Sequence, residues 1–202
     1  MKILVVLAHP DIGSFNHAIA AKVRDTLLQD GHQVVFHDLY AEKFEPELPA
    51  REIPRIADLP PTIQQQCREL AEAEGLVFIH PNWWGMPPAV LKGWIDRIVR
   101  PDVAYRFLED DKGEGVPVGL LKAKSALIFN TSNTAIERER DVFKDPLETL
   151  WKNCILGLCG VTNVYRRMFC VVVTSSQKQR EEWLEEAMQT TRQYYPPDEE
   201  RS

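Results

Sequence analysis

Several things that would fix the class of a protein are missing here. No apolar run approaches the roughly 20 residues that span a bilayer as a helix. The apolar residues 3–8 are cut off at once by His9, Pro10 and Asp11, so neither a membrane span nor a secretory leader is expected. Cysteine is scarce. Cys67, Cys154, Cys159 and Cys170 show no Cys-x-x-Cys spacing and no histidine at a metal-like offset, so reduced thiols, no metal and a cytoplasmic setting are expected. Positive charge does not dominate either: 24 Lys and Arg against 30 Asp and Glu leave a formal net charge of −6. That balance argues against a chain dedicated to nucleic acid or anionic membrane. Neither G-x-G-x-x-G nor a Walker A pattern occurs, which disfavours a Rossmann dinucleotide fold and a P-loop kinase. With no repeat, low-complexity tract or linker, one domain over 1–202 is expected, with a tail frayed from about residue 195.

What is present reads as alternating strands and helices. The 202 residues are 44% apolar, enough for a substantial core. KILVVLA, residues 2–8, is a continuous apolar run with β-branched residues, the mark of a strand buried on both faces. Phe15, Ile19, Val23 and Leu27 then recur every four residues, an amphipathic helix with Ser14 as N-cap and Gly31 as stop. A second strand at 32–38 completes a right-handed crossover unit. Residues 41–61 read as a loop with a short helical turn, 62–74 as a helix, 76–80 as a third strand, 88–99 as a helix and 125–129 as a fourth strand. Residues 100–123 are irregular and hold the DDKGEG turn; 145–159 read as helix, 161–173 as strand and 176–192 as helix. Five strands alternating with five helices imply an α/β fold, a parallel sheet covered on both faces.

In such a sheet ligands bind beyond the carboxyl ends of the strands. Three loops meet there. HPDIGSFN, residues 9–16, opens the first helix, whose free N–H groups and positive end suit a phosphate; Ser14 as a cap alone and Ser14 as part of a phosphate site both stand. HPNWWGMPP, residues 80–88, sets Trp83 and Trp84 among three prolines, either filling the core or walling a flat ligand. NTSN, residues 130–133, offers amide and hydroxyl groups, with turn formation as the plainer reading. Gly93, inside a helix, costs roughly 1 kcal/mol relative to Ala; close packing of a second subunit, or of the chain's own sheet, would account for it.

LVVLAHPDIGSFNHAI, FIHPNWWGMPPAVLKGWIDRIV and VAYRF together resemble the flavodoxin-like NAD(P)H:quinone oxidoreductase family, DT-diaphorase-like, over residues 3 to about 170. The resemblance implies a flavodoxin-like five-stranded sheet of order 2-1-3-4-5 and a tightly bound flavin. It places His9, Ser14, Phe15 and Asn16 at the flavin phosphate. Pro81, Asn82, Trp83 and Trp84 would lie beside the isoalloxazine ring, and Asn130, Thr131, Ser132 and Asn133 at its pyrimidine end. Tyr105 and Phe107 match aromatics that one subunit of a homodimer lends to the other's substrate pocket. Hydride would pass from NADH or NADPH to a quinone by a ping-pong route. The chain departs from the animal enzymes in three ways. Thr-Thr-Gly-Gly is replaced by Asn130-Thr131-Ser132-Asn133, the tyrosine and histidine of their proton relay have no match in 134–145, and the C-terminal extension is missing. The missing extension, with a loop over 41–61 shorter than theirs, points to a compact bacterial-type member and favours FMN over FAD. Azo- or nitro-reduction on the same scaffold, single-electron transfer as in a flavodoxin, and a regulatory subunit of a membrane potassium efflux system are the other functions the resemblance allows.

Overall fold

The first strand, β1 (Lys2–Leu7), is buried along nearly its whole length, as a run without polar alternation requires. In the computed structural model, which describes residues 1–108, 115 and 117–197, it is an interior strand of a parallel sheet. Helix α1 (Phe15–Gln29) follows. Ser14 caps it through a bond from His17 N, and Gly31 leaves it with φ +83°, a conformation glycine adopts without strain. The chain returns as β2 (Gln33–Asp38), parallel to β1. The loop to residue 60 contains the expected turn, a 3-10 segment at Ala50–Glu52. Helix α2 (Pro61–Glu72), β3 (Gly75–Pro81) and helix α3 (Ala89–Ile98) come next.

Residues 101–123 are less irregular than expected. They carry a two-residue antiparallel ladder, β4 (Tyr105–Arg106) with β5 (Val118–Gly119). The DDKGEG turn lies outside the described residues save for Gly115. Strand β6 (Ser125–Ser132) is buried throughout and three residues longer than the apolar run suggests. Two short helices follow, α4 (Ile136–Asp141) and α5 (Pro146–Thr149), the second running into a π-helical stretch, Leu150–Gly157. Strand β7 (Asn163–Cys170) and helix α6 (Gln177–Tyr194) complete the chain.

The sheet order is β2-β1-β3-β6-β7, all parallel, and corresponds to the expected 2-1-3-4-5 once the small β4-β5 ladder is set aside. Successive strand residues serve opposite cores. Leu4, Val6, Leu76, Phe78 and Ile128 face α2, α3 and Trp151, whereas Ile3, Val5, Val77, Ile79 and Leu127 face α1 and α6.

Two expectations are corrected. Tyr195 is not frayed: it is fully buried, its hydroxyl accepts from Leu76 N and lies within bonding distance of the carbonyls of Leu76 and Ser125, and it pins the end of α6 beneath the sheet. Gly93 is accounted for by the loop at Pro46 and not by the chain's own sheet. A Cβ there would overlap the carbonyl oxygen of Pro46 and sit 2.5 Å from Pro46 Cα, so a backbone of the same chain demands the glycine. Among the described residues no helix is long and apolar enough to cross a membrane.

Candidate active site

Three strand tips build the site. Strands β3 and β6 stay paired to their ends, His80 opposite Asn130 and Pro81 opposite Thr131, and Asn82 N then donates to Thr131 O at 2.7 Å. Ala8 N joins the tip of β1 to Ile79 O at 2.9 Å. Above these tips lies a cleft of about 390 Å³, lined among others by His9, Ser14, Asn16, Trp83, Thr131 and Asn133. Phe15, Pro81, Asn82 and Ser132 also border it.

The first wall is a tight turn feeding α1. Asp11 Oδ1 accepts from Gly13 N at 2.9 Å and Ser14 N donates to Asp11 O at 3.0 Å, which turns the chain into the helix. At the helix head the N–H groups of Phe15 and Asn16 have no acceptor among the described residues, and the helix dipole makes this end attractive to an anion. Asn16 is buried; its Nδ2 donates to Thr131 Oγ1 at 2.8 Å, while Oδ1 is buried and has no partner among the described residues. Burial holds His9 below its ordinary pKa, so the ring is uncharged at neutral pH. Phe15 turns partly away to pack on Phe169 and Trp183, with ring centroids 6.2 and 5.8 Å apart.

The second wall is a hairpin of two residues. Trp83 N and Met86 N each bond the other's carbonyl at 3.0 Å, and both residues between them have positive φ, +58° at Trp84 and +73° at Gly85. Such a turn favours Asn-Gly. A tryptophan in the left-handed region costs roughly 1–2 kcal/mol, and Trp84 is also 101% exposed. Neither local conformation nor core packing explains it. Asn82 Oδ1 braces the turn by accepting from Gly85 N at 2.9 Å. Trp83, 40% exposed, leans toward His9 with ring centroids 6.2 Å apart. Beyond this hairpin opens a second hollow of about 500 Å³, which shares Asn82 and Thr134 with the cleft and is walled by Trp84, Glu139, Phe143 and Pro146.

The third group differs from expectation. Asn130, Thr131 and Ser132 belong to β6, not to a loop. Asn130 is fully buried and reaches no cleft; its Nδ2 lies 2.8 Å from His80 Nε2 and its Oδ1 accepts from Arg166 at 3.0 Å. A polar side chain at that depth must be satisfied internally, and this one is. Thr131 and Ser132 do line the cleft, and Asn133 Oδ1 holds Val173 N at 2.9 Å. Tyr105 and Phe107 pack edge to face at 5.8 Å in a separate hollow of about 220 Å³ with Ile95, Val99 and Leu158, and share no lining residue with the cleft of their own chain.

The model of the flavodoxin-like fold matches residues 1–195. The chain belongs to the flavodoxin-like family. A relative from Haemophilus influenzae, described as an uncharacterized NAD(P)H oxidoreductase, is 32% identical over 173 residues, 84% of this chain and 83% of that one. The crystal structure of Smu.1420 from Streptococcus mutans UA159 superposes with a TM-score of 0.82 at 32% identity, covering 96% of this chain and 100% of the other. The NAD(P)H:quinone oxidoreductase from Methanothermobacter marburgensis gives 0.78 at 26% identity, covering 95% and 96%.

In this flavodoxin-like chain the site depends on residues that the sequence pattern hides. His80 is fully buried, accepts Trp151 Nε1–H at Nε2 over 3.0 Å, and is pushed by burial down to about 4, so it stays neutral. Arg166, whose side chain is 4% exposed, joins Asn130 to Glu148 and to Asp145. Asp145 has φ +45° and precedes Pro146, whose ring packs where a side chain on Gly85 would stand, 2.6 Å from the position of its Cβ. An ionic network centred on the buried Arg166 thus carries the wall of the larger hollow up to the tryptophan hairpin.

Proposed function

We propose that the cleft binds a flavin non-covalently, FMN in preference to FAD, and that the protein passes hydride from NADH or NADPH to quinone-like acceptors. One observation carries the reading: an anion-attracting helix head and an exposed aromatic hairpin border adjoining hollows at the strand tips of a chain belonging to the flavodoxin-like family. The residues fit the group. The N–H groups of Phe15 and Asn16 would hold its phosphate, and the orphaned Asn16 Oδ1 would accept a hydroxyl of its polyol chain. Trp83 and Pro81 would border the flat ring, while Trp84 and Phe143 would wall the space open to donor and acceptor. Bound there, a flavin supplies two-electron hydride chemistry that no side chain can. The protein's part is to seat the ring, exclude water with aromatic surface and leave one hollow for donor and acceptor in turn, which gives ping-pong kinetics. Tyr105 and Phe107, displaced from their own cleft, would close the cleft of a second copy in a homodimer.

The test begins with the absorption spectrum of the purified protein and with chromatography of its released flavin against FMN and FAD. Ser14→Asp then separates capping from phosphate binding. Aspartate caps a helix as well as serine does, so the variant folds, but its carboxylate opposes the phosphate. A folded, colourless variant with flavin affinity at least tenfold weaker is expected. A yellow variant of unchanged affinity refutes the phosphate site.

A further inference from the structure

The larger hollow, about 500 Å³, lies within the roughly 300–1,000 Å³ range of small-molecule sites. Its lining of Asn82, Trp84, Gly85, Thr134, Glu139, Phe143 and Pro146 contains a single ionisable side chain, Glu139. That residue is 3% exposed, although it sits on a six-residue helix whose neighbours Glu137, Arg138 and Arg140 all face solvent. Its Oε1 accepts from Ser132 Oγ at 3.1 Å. Its Oε2 makes no hydrogen bond among the described residues, and the residue lines the hollow. No cation answers it. Among the described residues Arg166 is committed to Asp145 and Glu148, and Arg138 is solvent-exposed with its guanidinium 5.4 Å from the centre of the Phe143 ring, so that solvent screens it. A carboxylate facing an aromatic-walled space acts through low dielectric, where an opposing charge is felt far more strongly than in water.

We propose that Glu139 is a charge filter on the occupant of this hollow: it excludes aromatic acceptors carrying a negative group beside the ring and admits neutral ones or those with a hydrogen-bond donor. Only the word acceptor rests on the flavin reading; the filter belongs to the hollow itself. Ser132 holds the carboxylate in place and is the positioning residue, while Thr134 N braces Ser132 Oγ at 3.0 Å.

Two non-reducible probes of matched shape test this, naphthalene-2-sulfonate and the neutral naphthalene-2-sulfonamide. They are titrated into the purified protein and followed by tryptophan fluorescence, since Trp84 lines the hollow and is exposed. The wild type should bind the sulfonamide at least tenfold more tightly than the sulfonate. Glu139→Gln, which retains an acceptor for Ser132, should tighten the sulfonate at least tenfold and leave the sulfonamide within about twofold. Glu137→Gln, on the solvent side of the same helix, should change neither and so excludes an effect of net charge. Equal affinities in the wild type, an unchanged ratio in Glu139→Gln, or no binding of the neutral probe would each overturn the filter. Flavin colour is read on the same samples. A colourless wild type with the ratio intact sinks the flavin reading and supports the filter, whereas a yellow protein without the ratio sinks the filter alone.

Discussion

Replacing Gly93 by alanine sets two opposing terms against each other. Alanine in the interior of α3 should stabilise the helix by about 1 kcal/mol. Its Cβ, however, would stand 2.5 Å from Pro46 Cα, and a value under 3.0 Å forces a shift. The obstacle is backbone, not the end of a flexible side chain. Nor can that backbone retreat freely, because Glu45 O, one residue upstream, accepts from Arg97 Nη1 at 2.6 Å, and Arg97 also forms a buried ion pair with Glu52. The overlap costs about 1–3 kcal/mol if it is tolerated, and the charge-assisted bond about 1.5–3 kcal/mol if Pro46 gives way. At mid-range either exceeds the helix gain, for a net loss of about 1 kcal/mol that reaches about 2 kcal/mol at the upper end. At roughly 2–4 °C per kcal/mol for a chain of this length, the melting temperature should fall by about 2–8 °C. Thermal denaturation followed by circular dichroism reads this directly. Because the clash is within one chain, the drop should hold over a roughly hundredfold range of protein concentration, which a lost dimer contact would not give. A variant as stable as the wild type, or more so, refutes the account of Gly93.

Other perturbations act on the framework and the site. Tyr195→Phe strands the buried Leu76 N–H and should cost about 1–3 kcal/mol in urea denaturation; no measurable loss means that the phenol does not anchor the sheet. His80 is neutral in the fold down to about pH 4, whereas an unfolded histidine takes up a proton near 6.5, so stability should fall as pH drops from 6.5 to 4, by up to about 3 kcal/mol. His37, whose pKa its glutamate partners raise despite burial, opposes this trend, so the comparison is with His80→Gln, which should start lower at pH 7 and lose less on acidification. Mixing inactive Trp84→Ala with inactive Tyr105→Ala should restore partial reductase activity through hybrid dimers; a mixture as inactive as its parts argues that each cleft is complete in one chain.

The strands were legible where they are buried on both faces. β1, β3 and the first part of β6 are built on continuous apolar runs. The end of β6 was not, because Asn130-Thr131-Ser132 has the composition of a turn, and only pairing with β3 and β7 keeps it extended. Position at the sheet edge was enough to bring together Ser14, Asn16, Trp83 and Thr131. It misassigned Asn130, which stands one step short of the residues that reach the cleft and is held in the core by His80 and Arg166, and composition does not mark where along a strand the cleft begins. Glu139 and Arg166 were invisible for a different reason. Arg166 adjoins Arg167 in YRRM and Glu139 stands two residues from Glu137 in ERER, and only tertiary packing chooses between the members of each pair. The π-helical turn at Leu150–Gly157 was read as plain helix because Trp151 and Ile155 fit either period.

Pairing of β3 with β6 out to Pro81 and Thr131 sets a scale for whatever is bound. Neighbouring strands lie about 4.8 Å apart because backbone hydrogen bonds fix that distance, and the cleft floor rests on two such neighbours. The width of the seat is therefore a property of peptide geometry and survives any change of side chain. The groups above it, at 84, 134, 139 and 143, are free of that constraint. On the proposed function, drift at those four positions would exchange one reducible compound for another without retooling the seat, so the seat's dimensions should outlast any particular preference for what is reduced there.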